Sequence, residues 1–150
     1  METQRSNKHR QYFRITLAQP LCGTMTIALI GDRAIQTGNT DVCIEDIGPG
    51  GLRFLSHLKL PTSNNIILEF CSKICGQEYA LWGSVVRAVE REKNIWEYGV
   101  EFHLDEITQA RYVTLFHQLA VKVYKYKQWH DCRFCSKENR VQCLKEKIQD

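Results

Sequence analysis

Upstream of Asp105 the apolar residues come in short β-branched runs separated by turn signals, and downstream they recur with helical spacing. A chain with this order of periods folds as an antiparallel β-structure finished by one helix. The runs are Phe13–Leu17, broken by Pro20 with Gly23; Thr24–Ile30, ending at Gly31-Asp32; and Val42–Ile47, leading into Gly48-Pro49-Gly50-Gly51. Gly38-Asn39 marks a further turn. Leu52–Leu55 and Ile66–Phe70 follow, with the loop Pro61–Asn65 between them. Tyr79–Glu90 and Ile95–His103 form a hairpin about Glu92-Lys93-Asn94. Repeated short strands with spaced turns predict a small barrel or sandwich. After Asp105, a candidate N-cap, Tyr112, Leu115, Phe116, Leu119, Ala120 and Val123 predict an amphipathic helix over 106–127.

The 150 residues suffice for one core with tails, and 43% hydrophobic with 25% charged residues is the balance of a folded globular domain. The longest apolar stretch, Met25–Ile30, falls far short of the ~18 residues that span a bilayer. The polar, basic N-terminus has no secretory h-region, so a cytoplasmic location is expected. In that compartment the seven cysteines are thiols, fillers or metal ligands rather than a disulfide framework, with Cys71 and Cys75 read as fillers flanking a turn-like stretch. Residues 1–14 and 125–150 each carry a net charge of +3, so basic ends flank a mildly acidic body. That suits local capture of an anion better than a broad nucleic-acid stripe.

Two constellations stand before the helix. Arg10 and Arg14 lie four residues apart where a polar arm meets the first strand, and Asp46-Ile47-Gly48-Pro49-Gly50-Gly51 connects two strands. Each alone also reads as a solvated charge pair or an ordinary turn. In this order they resemble the bipartite signature of PilZ domains: Arg-x-x-x-Arg, then Asp/Asn-x-Ser-x-x-Gly. The resemblance continues through Gly83-Ser84-Val85-Val86-Arg87 and Tyr98-Gly99-Val100-Glu101-Phe102, covering residues 8–124.

This resemblance implies a six-stranded antiparallel β-barrel with a C-terminal α-helix, built from a basic arm (1–12), a domain (8–127) and a Cys-containing tail (128–150). It implies a receptor for cyclic di-GMP that needs no cofactor and relays ligand level to a protein partner in motility, exopolysaccharide or biofilm control. Arg10, Arg14, Asp46, Gly48 and Gly51 are then the ligand-binding residues. An arginine fork can grip a phosphate or guanine O6 and N7, Asp46 can accept guanine N–H groups, and Gly51 permits close backbone approach. Gly48 departs from the family's serine, so restoring it is expected to add one hydrogen bond, ~0.5–1.5 kcal/mol, unless the backbone needs glycine there for positive φ, in which case serine destabilises the turn. The same departure supports a rival reading, an interaction module that no longer binds the nucleotide. Arg5, His9 and Arg53 could add contacts to the ligand, but the preferred reading of each is an exposed side chain.

The tail offers His130, Cys132, Cys135 and Cys143, four ligands of the type and number for tetrahedral zinc, against the alternative of reduced surface thiols. No phosphate loop, paired-carboxylate motif or dinucleotide fingerprint occurs. Neither His103 nor His117 has a nucleophile partner visible in sequence, so no enzyme is expected.

Overall fold

A computed structural model describes residues 12–35, 38–63 and 65–125. The strands are β1 (Ile15–Ile30), β2 (Arg33–Ala34), β3 (Thr40–Gly48), β4 (Gly51–Ser56), β5 (Ile66–Ile74), β6 (Gln77–Glu92) and β7 (Ile95–Phe102), followed by the helix α1 (Glu106–Lys125). All pairings are antiparallel, in the order β1-β3-β4-β7-β6-β5, and β5 pairs back onto β1. The sheet is thus a closed six-stranded barrel, which leaves no long edge unpaired. β2 is a two-residue extension on the end of β1.

Closure depends on β1, whose first part pairs with β3 and whose second part pairs with β5. Pro20 does not end this strand as expected. It lies where the register slips between Thr16 and Leu21, and a strand tolerates proline at such an irregularity because no ladder N–H is needed there. Gly23 is interior as well. A Cβ at that position would come 2.8 Å from the Cys71 carbonyl oxygen, so glycine allows β1 and β5 to meet.

The strand boundaries otherwise run longer than the sequence pattern suggests. β5 continues to Ile74, and Cys75 (φ 50°) and Gly76 (φ 89°) form a two-residue turn into β6. Both turn residues have positive φ, as the tight hairpin types require. The Cys71 thiol, within β5, is pushed up by burial first and then by Glu69 and Glu78, which disfavours the reactive thiolate.

Inside the barrel Phe54 contacts both Phe70 (ring centroids 4.9 Å) and Tyr98 (5.2 Å). Leu115, Phe116 and Leu119 of α1 join the same core. Asp105 caps the helix, its Oδ1 accepting from Thr108 N at 2.7 Å, and this bond holds its carboxyl below the usual range. Tyr98 is fully buried; its hydroxyl donates to Leu58 O (2.6 Å) and accepts from Leu60 N (2.7 Å). Tyr98→Phe should therefore lower unfolding free energy by ~1–3 kcal/mol, because two loop backbone groups lose their partner. A denaturant midpoint equal to the parent's would show that solvent satisfies both groups instead.

Candidate functional site

The site is built on the outer wall of β3, β4, β7 and β6, beside the Gly48–Gly51 turn. Ile44 and Ile47 of β3 point into the core. Between them the register slips by one residue: Ile44 pairs with Phe54 and Asp46 with Arg53, so Glu45 is extra. A bulge of this kind sets two consecutive side chains on one face. Glu45 (2% exposed) and Asp46 (8%) consequently both lie against Arg53.

Arg53 Nε is 2.9 Å from Asp46 Oδ2 and 3.7 Å from Glu45 Oε1, and its Nη1 is 3.9 Å from Glu97 Oε2. The Nε–H is not aligned for a hydrogen bond despite the short distance, so the pair is ionic rather than directional. Arg91, the extra residue of a second bulge on β6, reaches Glu45 at 3.5 Å and Glu97 more closely. The guanidinium groups of Arg53 and Arg91 thus surround two buried carboxylates, Glu45 and Asp46, with opposite charge.

Arg14 comes from the root of β1 and donates from Nη1 to Asp46 Oδ1 at 2.8 Å. Its other nitrogen, Nη2, lies 3.1 Å from where a Cβ of Gly51 would be, so the guanidinium extends over that glycine. A Cβ at Gly51 would also overlap the Val100 carbonyl oxygen across the β4–β7 ladder, and one at Gly48 would overlap that of Phe13. Gly48 is glycine because another strand's backbone passes there; its φ is not positive. A Cβ at Gly50 would meet the Tyr12 ring at 3.0 Å.

The turn is tied to α1 and to the end of β7, and the root of β1 to α1. Gln109 Nε2 donates to Pro49 O at 2.5 Å, Phe102 N donates to Gly50 O at 2.9 Å, and the Phe13 ring lies 4.7 Å from His117.

Of the residues singled out in sequence, Arg14, Asp46, Gly48 and Gly51 are brought together here. Arg10 lies outside the described residues, as do His130, Cys132, Cys135 and Cys143. Among the described residues no group of three or more His, Cys, Asp or Glu is placed to hold a metal. Sequence reasoning missed Glu45, Arg91 and Glu97, and read Arg53 as merely exposed although three carboxylates converge on it. Their signal was the cross-strand register, which the bulges hide. It also missed a partner for His103: Ser84 Oγ is 2.7 Å from its Nε2. Ser84 is fully buried, whereas His103 is exposed.

The fold and site together define a class of protein: a small closed antiparallel barrel with one C-terminal helix and a charged cluster on its wall beside a glycine turn. Within that class the chain belongs to the PilZ domain family, whose sequence profile matches residues 8–118. No curated protein matches the chain by sequence. Among solved structures it is similar to the Bacillus subtilis inhibitor of motility MotI/DgrA (14% identity, TM-score 0.53), covering 79% of this chain and 53% of that one. It is similar too to the PilZ domain of CeSA from a cellulose-synthesising bacterium (17%, TM-score 0.52), covering 71% and 98%. A third likeness is to Escherichia coli YcgR in complex with c-di-GMP (15%, TM-score 0.55), covering 77% and 48%. The chain thus spans about half the length of MotI/DgrA and YcgR and nearly all of the isolated CeSA domain. No helix among the described residues is long and apolar enough to cross a membrane.

Proposed function

We propose that this chain is a receptor for cyclic di-GMP that passes ligand occupancy to a downstream protein, without catalysing a reaction. The observation that carries this reading is Arg14, positioned by Asp46 and extended over Gly51 at the matching positions of the family signature. One of its similar structures, YcgR, is itself a c-di-GMP complex. The ligand presents two phosphates and two guanines, and the guanidinium fork of Arg14 suits either group. Asp46, with an arginine at each oxygen, acts here chiefly by orienting them. Arg10, four residues earlier, supplies a second fork when the arm folds over the ligand.

The relay follows from the ties to α1. A ligand that pulls on Arg14 acts on Phe13, its neighbour in the chain, and so on the ring contact with His117. A second reading, an interaction module without nucleotide binding, draws on Gly48, which lacks the family's hydroxyl and lies against the Phe13 backbone.

Calorimetric titration with cyclic di-GMP, with GTP and cyclic di-AMP as controls, decides between them. Selective binding of cyclic di-GMP is the expected result. Silence with all three nucleotides would favour the interaction module.

A further inference from the structure

We infer that Arg87 on β6 is a further phosphate-binding arginine of this site, beyond Arg14 and Arg10 of the signature, gripping the cyclic dinucleotide on the side away from Arg14. The inference rests on the receptor reading above and adds a residue to it. One cross-strand row runs over the outer wall: Asp46 pairs with Arg53, Arg53 with Gly99, and Gly99 with Arg87. Both ends of the row carry a bulge. On β3 the extra residue is Glu45, and on β6 it is Val86, because Val85 pairs with Val100 and Arg87 with Gly99. The first bulge gathers carboxylates beneath Arg53, and the second turns Arg87 outward beside the exposed Val86.

Gly99 lets the Arg87 side chain lie down. Arg87 Nε and Nη2 are 3.7 and 3.8 Å from the position a Gly99 Cβ would take, so the guanidinium lies over the β7 backbone at Gly99. Arg14 uses Gly51 in the same manner on β4. Gly51 and Gly99 are diagonal neighbours on adjacent strands, since Gly99 faces Arg53, two residues from Gly51. Such positions are ~7–8 Å apart, which brings both guanidinium groups within reach of one small ligand.

The charges separate the roles. Arg53 and Arg91 are committed to Glu45, Asp46 and Glu97. Arg87 is exposed, and no carboxylate pairs with it among the described residues. An exposed cation held over a glycine has its donors turned to solvent, available for an anion. A cyclic dinucleotide has two phosphates and two guanines, more anionic and acceptor groups than the forks of Arg14 and Arg10 can take at once.

The test is titration of cyclic di-GMP into the parent, Arg87→Gln and Arg87→Lys at low and high salt, with thermal melts of each. Arg87→Gln should weaken binding about 10- to 100-fold, the loss of one charge-assisted contact. Its affinity should fall less steeply with salt, and its melting temperature should match the parent's. Arg87→Lys, which keeps the charge, should stay within a few-fold of the parent. A parent that binds while Arg87→Gln binds equally well overturns this inference alone. Equal losses in both variants would overturn the phosphate assignment, since they would show dependence on the planar fork instead of the charge. A parent that binds no cyclic di-GMP overturns the receptor reading and this inference with it.

Discussion

Arg14→Ala should weaken cyclic di-GMP binding by about 100-fold or more and leave the fold intact. A guanidinium that grips a phosphate or a guanine edge through two charge-assisted bonds supplies on the order of 3 kcal/mol, which is about 100-fold. The stability cost is small for two reasons. The Arg14 side chain is 38% exposed, so its ion pair with Asp46 contributes less than ~1 kcal/mol. Asp46 also keeps Arg53 at 2.9 Å when Arg14 is gone.

Arg53→Ala is the contrasting variant. It leaves Glu45 and Asp46, both buried, and Glu97 facing the gap, so it should lower stability by ~1–3 kcal/mol as well as reduce binding. Titration and thermal melting of the two variants separate a residue that grips ligand from one that holds the wall together. Parent-like binding by Arg14→Ala would remove the site from this face of the barrel.

The barrel and its helix were legible because they rest on local signals. The change of period at Asp105 placed the start of α1 at Glu106, and the helix runs to Lys125, close to the expected 127. Turn residues marked most strand ends. Pro20 misled, because whether a proline breaks a strand depends on its ladder partner, and the partner of that segment is some 25 residues away on β3. The turn was expected between Cys71 and Cys75 but falls at Cys75-Gly76, after β5 has run on to Ile74, because cysteine is not a usual residue at positive φ.

The candidate site was legible in a different measure. Arg14 and Asp46 were visible through family resemblance, and they meet at 2.8 Å. Glu45, Arg53, Arg91 and Glu97 were not, because each belongs through long-range register, and a bulge breaks the alternation of its own strand, as between Ile44 and Ile47, without naming the partner across the ladder. Glycine was the most ambiguous letter. Gly48 and Gly51 both look like turn glycines, yet the structure requires them where two backbones pass closely, at Phe13 O and Val100 O.

That requirement reverses the expectation for Gly48→Ser. Judged by the family pattern, serine adds a hydroxyl contact worth ~0.5–1.5 kcal/mol. In the folded chain any Cβ at this position overlaps the Phe13 carbonyl oxygen, and backbone cannot rotate aside as a side chain can. Phe13 is further restrained, since its ring lies against His117 on α1. Gly48→Ser should therefore lower stability by ~1–3 kcal/mol, the usual cost of overpacking, and weaken ligand binding because Arg14 follows Phe13 directly in the chain. Gly48→Ala carries the same Cβ without the hydroxyl, so it should be destabilised equally, and any affinity difference between the two isolates the hydroxyl. Gly51→Ala should be at least as damaging, because its Cβ would overlap Val100 O inside the β4–β7 ladder. Thermal melts with parallel cyclic di-GMP titrations read both effects. A Gly48→Ser protein that melts with the parent and binds more tightly would show that the root of β1 yields without cost, and would restore the hydroxyl argument.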